Sequence, residues 1–172
     1  MASDVKGSAV FDVNNDCYRY VLTREWSDTG LTALFVLMNP SCADADVDDG
    51  TIKGVTRKVR SWTFAGAPFR RLLICNTFAY RAKDQRRLTE IENPIGPDND
   101  QHIREAAKSA DMIVLAYGNP RTKALRARGP AVAEMLRADG HDLYVLGLGA
   151  TSGVPKHPLY ITDETVPEPW IW

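Results

Sequence analysis

The sequence lacks the features that mark strongly basic nucleic-acid-binding proteins, membrane proteins and secreted proteins. Acidic and basic side chains nearly balance over its 172 residues, giving a net charge of −1, so no overall basic excess indicates nucleic-acid binding. No apolar run approaches the ~20 residues of a membrane span, and the N-terminus has no signal-peptide core. We therefore expect a soluble, cytoplasmic protein with no membrane partner. The 44% hydrophobic content predicts one globular domain over 1–172.

The sequence also lacks the short motifs that would indicate a cofactor or an activated nucleophile. It has no Walker loop, no dinucleotide-binding fingerprint and no Gly-x-Ser-x-Gly elbow. Its cysteines are odd in number and lack metal-ligand spacing, which predicts free thiols in a reducing compartment: Cys17, Cys42 and Cys75. We accordingly expect neither a cofactor nor a resident metal.

What the chain does contain is an alternation of apolar runs and amphipathic segments. The runs predict buried parallel strands at Thr32–Met38, Arg71–Asn76, Asp111–Tyr117 and Leu143–Leu148. Helical spacing predicts helices from Thr51 to about Trp62, over Asn99–Ser109 and over about Pro130–Ala138. This order predicts a three-layer α/β/α architecture around a central four-stranded, mainly parallel sheet. We expect an N-terminal β-hairpin from Ala9–Val13 and Tyr18–Leu22, and a proline-rich tail at 162–172.

Three of the predicted strands end close to an asparagine: Asn39, Asn76 and, directly after Gly118, Asn119. Because the carboxyl ends of parallel strands share one edge of a sheet, these side chains are expected to lie at that edge. The loop with His157 returns there after the fourth strand. An amide offers both a donor and an acceptor, the pair needed to read a nucleobase edge, although a strand-end asparagine also serves as a turn former.

The histidines divide into two groups. His102, on a polar helix face, and His141, after the helix stop at Gly140, are expected to be structural. His157 lies between Lys156 and Pro158 in a loop that glycines could hinge. It could act as a general acid, an oxyanion stabiliser or a phosphate contact, or it could be structural.

Four aspartates follow the first buried strand within six residues: Asp44, Asp46, Asp48 and Asp49. They fit a solvated loop in which Asp48 or Asp49 lies at the N-terminus of the next helix, where negative charge is favoured. They also fit a site for a hard cation such as Mg²⁺, or a carboxylate that positions a water. The absence of a neighbouring histidine argues against zinc.

Aromatic and basic side chains lie near the asparagines in sequence. Phe78 or Tyr80 could stack on a base, with Arg81 available for a phosphate, although Phe78 could equally cap the core. The helix from Thr51 has a basic face, and Arg121–Arg128 is a second basic segment. These faces fit either a solvated surface or a phosphate-contacting strip.

A set of motifs resembles a known bacterial and phage family, domain of unknown function 1643. The motifs are Leu37-Met-Asn-Pro-Ser41 with Asp49-Gly-Thr51, Cys75-Asn-Thr-Phe-Ala-Tyr-Arg81, Asn93-Pro-Ile-Gly-Pro-Asp-Asn-Asp100, Ala116-Tyr-Gly-Asn119 and Pro155-Lys-His-Pro-Leu-Tyr160. The resemblance runs from about residue 11 to 161, and the family label implies no established activity.

A more distant resemblance is to the uracil-DNA glycosylase superfamily, which has a four-stranded parallel sheet flanked by helices. The resemblance implies that Asn39-Pro40 positions a water and that Asn76 reads the base. It implies that His157-Pro158 belongs to the loop that contacts the leaving group and the minor groove. Enzymes of this type need no metal.

Together these observations predict a hydrolase of the N-glycosidic bond of an unusual or modified nucleobase, in DNA or a free nucleotide. The predicted catalytic residues are Asn39, His157 and Asp49. The predicted substrate-binding residues are Pro40, Ser41, Asn76, Phe78, Tyr80, Arg81, Gly118, Asn119 and Pro158. The alternatives are a non-catalytic binder of nucleotides or modified bases, and a Mg²⁺-dependent phosphate-ester enzyme using the aspartate loop.

Overall fold

Eight strands and three helices make up the regular structure of residues 4–171, the range that the computed structural model describes; residues 1–3 and Trp172, the end of the predicted tail, lie outside it. The strands are β1 (Lys6–Phe11), β2 (Arg19–Glu25), β3 (Leu31–Leu37), β4 (Thr63–Phe64), β5 (Ala67–Asn76), β6 (Met112–Leu115), β7 (Tyr144–Val145) and β8 (Glu168–Pro169). The helices are α1 (Gly50–Ser61), α2 (Asn99–Ser109) and α3 (Arg128–Ala138). The chain therefore has a mixed α/β fold.

The sheet is larger than the sequence predicts. Its order is β1-β2-β5-β3-β6-β7-β8, with β4 paired to β5. The prediction of a four-stranded, mainly parallel sheet is wrong for the sheet as a whole, because four of its seven pairings are antiparallel. Parallel pairing is confined to β5, β3, β6 and β7. The predicted hairpin is confirmed as β1 and β2, but it extends the sheet through β5.

The opposite edge of the sheet is extended by β8, which lies in the segment predicted to be a proline-rich tail. β8 pairs antiparallel with β7, and the Trp170 amide donates to the Leu143 carbonyl at 2.8 Å. The Arg137 guanidinium lies over the Trp170 ring, 4.7 Å from its centre. An unpaired edge strand exposes backbone donors and acceptors, so this short strand covers an edge that β7 would otherwise present.

Helices cover both faces of the sheet. Ile52, Val55 and Val59 of α1 pack against one face with Phe35 of β3. On the other face, α2 and α3 pack against the alternate β3 positions, such as Val36. The apolar run of β3 is therefore explained by burial on both sides, as the sequence predicts. No helix within 4–171 has the length and hydrophobicity needed to cross a membrane.

The chain changes direction in the sheet at β3. It runs from β3 through α1 to β5 on one side, and then through α2 to β6 on the other side of β3. In open α/β sheets a crevice forms outside the carboxyl ends of the strands at such a switch point. The residues that follow β3, beginning with Asn39-Pro40, lie at this position.

Candidate functional site

Backbone hydrogen bonds continue beyond the ends of β3 and β5 and fix their last side chains relative to one another. The Thr77 amide donates to the Leu37 carbonyl at 2.8 Å, and the Phe78 amide donates to the Met38 carbonyl at 2.8 Å. Asn76 is thereby held beside the turn that carries Asn39.

Six of the predicted site residues line one cavity of about 230 Å³, named here the Asn76 cavity. They are Asn39, Pro40, Ser41, Asp49, Asn76 and His157. Leu37 and Ile52 supply apolar lining. Because drug-sized ligands occupy pockets of roughly 300–1,000 Å³, this cavity is suited to a smaller group such as one flat heterocycle.

Asn76 is the most unusual side chain in this cavity. It is 1% exposed, and within the described residues neither its Oδ1 nor its Nδ2 has a hydrogen-bond partner. Its backbone is firmly held, since the Asn99 Nδ2 donates to the Asn76 carbonyl at 2.9 Å. A buried, unpaired amide costs free energy, so its presence marks a position where a ligand supplies the missing partners.

Hydrogen bonds fix the orientation of the Asn39 side-chain amide. Its Nδ2 donates to the Ala82 carbonyl at 2.8 Å and to the Pro40 carbonyl at 3.1 Å. The Ala82 amide donates in turn to the Pro40 carbonyl at 2.9 Å, which closes a small network. The amide orientation is therefore set by its donors, and Oδ1 remains as an acceptor without a partner within residues 4–171.

His157 caps the short 3₁₀ turn Pro158–Tyr160, and its Nδ1 accepts a hydrogen bond from the Leu159 amide at 3.3 Å. Burial lowers the pKa of its imidazole, while the nearby Asp49 carboxylate acts in the opposite direction. The neutral ring is favoured, and because Nδ1 is an acceptor its proton lies on Nε2. His157 therefore offers an uncharged N–H donor.

A second cavity of about 230 Å³, named here the Asn119 cavity, shares Asn39, His157 and Leu159 with the first. Gly118 and Asn119 line it, so the third strand-end asparagine does not join the other two around the Asn76 cavity. Gly118 has φ +68°, and a Cβ there would lie 3.2 Å from the His157 Cβ. The glycine therefore allows the His157 loop to approach the end of β6.

Pro158 lies against α1, lining a different depression together with Gly54 and Val55. It is buried, and it begins the 3₁₀ turn that His157 caps. It is placed to support His157, which lies next to it in the chain.

The aspartate loop is held from within and by arginines. The Asp44 Oδ1 accepts from the Asp46 and Val47 amides, both at 2.9 Å, and these bonds lower the pKa of its carboxyl. Asp48 pairs with Arg24 at 2.7 Å. Asp49 caps α1, as the sequence predicts, by accepting from the Ile52 amide at 2.9 Å. The described residues contain no group of three His, Cys, Asp or Glu side chains that could hold a metal.

Besides Gly118, Asn119 and Pro158, three more predicted binding residues lie outside the lining of the Asn76 cavity. Phe78 is 4% exposed and packs with Leu88 and Leu125 in a small core cluster. The Tyr80 ring meets the Tyr18 ring edge to face at 5.7 Å. The Arg81 guanidinium lies over the Phe11 ring, 5.1 Å from its centre. The structure therefore does not place the predicted stacking surface beside Asn76, because these three side chains pack against other residues.

The sequence reasoning missed Arg19, Thr51 and Lys83, which also line the Asn76 cavity. Arg19 lies 20 residues before Asn39 in sequence and, in a short strand, resembles an ordinary solvent-facing position. A signal was available at Thr51, which belongs to the Asp49-Gly-Thr51 motif. Lys83 carries no pattern that distinguishes it from other exposed lysines.

The architecture defines a mixed α/β protein with its candidate site at the carboxyl ends of β3 and β5. The chain belongs to the family described as Protein of unknown function (DUF1643), whose model matches residues 19–159. The predicted membership of this family is therefore confirmed. No curated protein and no solved structure gives a significant match to the chain. The resemblance to uracil-DNA glycosylases stays a prediction from the motifs.

Proposed function

We propose that this protein hydrolyses the N-glycosidic bond of a nucleobase-containing substrate. The observation that carries the proposal is the unpaired Asn76 amide in a cavity that Asn39 and His157 also line. This arrangement is the one that the resemblance to the uracil-DNA glycosylase superfamily implies for its base reader, water-positioning residue and leaving-group contact.

Asn76 would recognise the base. Its Oδ1 and Nδ2 provide adjacent acceptor and donor atoms, matching the alternating donors and acceptors of a nucleobase edge. Leu37 and Ile52 would contact the faces of the heterocycle in place of the aromatic side chains that the sequence predicted. A base that lacks the matching pair would leave the buried amide unsatisfied, so this contact discriminates between bases.

Asn39 would hold the attacking water through Oδ1, the atom that its own network leaves as an acceptor. Asp49 lines the same cavity and would supply a second acceptor, because only its Oδ1 is used in capping α1. The water oxygen bonds to the anomeric carbon as the carbon–nitrogen bond breaks. The bonding pair leaves with the base, which takes up the proton that the water loses.

His157 would stabilise the negative charge that develops on the departing base. Its neutral ring donates from Nε2 because Nδ1 is engaged by Leu159. Such a donor is effective in a water-poor site since it requires no reorganisation during the reaction. The depressed pKa keeps the ring in this neutral form at physiological pH.

The surface favours a small substrate over long DNA. Of the basic residues on α1, Arg57 and Lys58 pair with Asp163 and Arg60 pairs with Asp4. These pairs offset two of the four positive charges on α1, which weakens the face as a candidate for phosphate contacts along a duplex. Arg128 pairs with Asp100 in the second basic segment.

The direct test is incubation with nucleosides, nucleotides and modified DNAs, followed by detection of released base by mass spectrometry. We expect His157→Ala to reduce base release by ~10²–10³-fold, the scale for one preorganised donor at developing charge. His141→Ala, in the loop between α3 and β7, is the matched control and should leave the rate unchanged. Unchanged release by His157→Ala would remove that role, and saturable binding with no released base would identify a binding protein instead.

A further inference from the structure

The Asn76 cavity contains a buried cation, Arg19, that forms no ion pair within the described residues. Arg19 is 2% exposed, and its Nη1 donates to the Ala43 carbonyl at 2.5 Å. Its Nε has no hydrogen-bond partner, and it forms no ion pair among residues 4–171. Burial lowers the pKa of the guanidinium to about 10, against the effect of the Asp49 carboxylate, so it remains charged at neutral pH. A buried charge without a counter-ion is costly unless something compensates it.

An irregularity in the hairpin explains why Arg19 reaches this cavity. Val10 pairs with Val21 but Phe11 pairs with Arg19, so Tyr20 is an extra residue in β2. Alternation would place Arg19 and Arg24 on opposite faces, since they are five positions apart. Both nevertheless contact the loop after β3, through the Ala43 and Asp44 carbonyls. The bulge therefore redirects Arg19, as bulges beside functional sites commonly do.

The N-terminus of α1 reaches the same cavity through Thr51. Asp49 satisfies only the Ile52 and Lys53 amides, through its side chain and its carbonyl. Within the described residues the amides of Gly50 and Thr51 donate to no acceptor. The first turn of this 12-residue helix therefore offers free N–H groups and the positive end of its dipole beside a buried arginine whose Nε has no partner within the described residues.

We propose that the Asn76 cavity binds an oxyanion group, a carboxylate or a phosphate, between Arg19 and the first turn of α1. The charged side chains that line it are Arg19 and Lys83 against Asp49, which leaves one positive charge for the ligand to balance. The inference rests on the proposed function for the nucleobase part of the ligand, whereas the anionic part follows from Arg19 and α1. The substrate class is then a small nucleobase compound that carries a negative charge.

Two sources of this charge are distinguishable. A carboxylate on the base would lie in the Asn76 cavity together with the base edge. The phosphate of a nucleoside 5′-monophosphate would need the ligand to extend further, and the adjoining Asn119 cavity offers a similar volume, about 230 Å³.

The test is isothermal titration calorimetry with matched neutral and anionic probes. The probes are uracil against uracil-6-carboxylate, and the four ribonucleosides against their 5′-monophosphates. We expect at least one anionic probe to bind roughly tenfold or more tightly than its neutral partner, the scale of a charge-assisted hydrogen bond. Arg19→Met should abolish that difference. Arg121→Met, in the Asn119 cavity, is the control and should preserve it for uracil-6-carboxylate.

Equal binding of neutral and anionic probes, no binding of any anionic probe to the wild type, or an unchanged preference in correctly folded Arg19→Met would each overturn the inference. Base release measured on the same samples separates this inference from the proposed function. Base release together with equal binding of every neutral and anionic pair would overturn the inference and leave the hydrolase, whereas equal release from nucleosides and nucleotides would exclude the phosphate as the source of the charge. An anion preference without release would sustain the inference and remove the hydrolase.

Discussion

Arg19 and Arg24 lie on the same strand and reach the same loop, yet they are bonded very differently. Arg24 is 4% exposed and is fully engaged, with Asp48 at 2.7 Å and the Asp44 and Thr23 carbonyls at 2.6 and 2.8 Å. Arg19 is as deeply buried, but within residues 4–171 its guanidinium donates only to the Ala43 carbonyl. The first arginine fixes the loop, whereas the second faces a cavity with its Nε unused.

Two asparagines repeat the contrast. Asn99 of α2 is completely buried, and its Nδ2 donates to the Asn76 and Thr77 carbonyls, although its Oδ1 has no partner within the described residues. Asn76, at the end of β5, has a side chain with no partner at either polar atom in the part of the chain that the structure describes. Paired polar groups stabilise a fold, while unpaired buried groups cost stability and persist where function requires them. The Asn76 cavity therefore has the composition of a site rather than of a structural core.

The largest effect is expected when Asn76 is replaced. Asn76→Leu should reduce base release by roughly 10²-fold or more, because the edge-reading contact is lost. Its free energy of unfolding should be unchanged or higher, since an unsatisfied amide leaves the core. Thermal denaturation and released-base assays measure the two quantities.

Asn99→Leu is the matched control, and it should lower the free energy of unfolding by about 1–3 kcal/mol because the Asn76 and Thr77 carbonyls each lose a donor, although Arg128 still donates to Thr77. If Asn76→Leu instead destabilised the protein as much as Asn99→Leu does, the distinction between an amide bonded through its Nδ2 and an amide with no side-chain bond would be wrong.

Substitutions of Arg24 and Arg19 should also differ in their effects on the free energy of unfolding. Arg24→Met should lower the free energy of unfolding by about 3 kcal/mol, since Asp48 is left without its partner in a partly buried place. Arg19→Met should change it by less than about 1 kcal/mol, because methionine removes an uncompensated charge. Urea denaturation of both variants checks this difference, and equal losses would show that Arg19 is structural.

Alanine substitutions at Gly118 and Gly66 should have smaller effects, and comparing them separates backbone strain from contact with His157. Both have positive φ, +68° and +78°, so alanine at either should cost about 1–2 kcal/mol of stability. Among the described residues, a new Cβ would lie close to His157 at Gly118 and would have no neighbouring atom within 4 Å at Gly66. Gly118→Ala should therefore also reduce base release, and Gly66→Ala should not. A similar loss of activity in both would mean that backbone strain alone is responsible.

The smallest effect concerns pH. Because the pKa of His157 is lowered by burial, the unfolded chain takes up its proton first as the pH falls below about 6.5. The contribution of His157 to stability is therefore present at pH 7.5 and declines towards pH 5.5. Denaturant melts should show that the stability of wild type relative to His157→Gln falls over this range. A constant difference would show that the ring is not desolvated in the folded protein.

Much of the architecture could be predicted from the sequence, because buried positions in helices and strands produce regular patterns of apolar residues. The bounds of α2 agree with the prediction, and β3 lies within one residue of it. β4 and β8 were missed because two-residue strands carry no periodic signal, and their pairing depends on partners distant in the chain.

The candidate site could be predicted only in part, because the sequence shows where strands end but not the local geometry at those ends. Strand ends are visible in sequence, so Asn39, Asn76 and His157 were correctly expected to share one edge, and they line one cavity. Which side of an edge a residue occupies is set by local geometry, and this placed Asn119 in the adjoining cavity. Arg19 was missed because a one-residue bulge reverses the face of a side chain without any change in composition.

The most direct measurement of the central claim is the side-chain amide resonance of Asn76 in ¹⁵N-labelled protein during titration with the nucleotide that releases base. Binding at Asn76 predicts that its Nδ2 protons shift strongly and exchange more slowly, while the already bonded Nδ2 of Asn99 stays nearly fixed. An unmoved Asn76 signal at saturating ligand would contradict the claim that this amide reads the base.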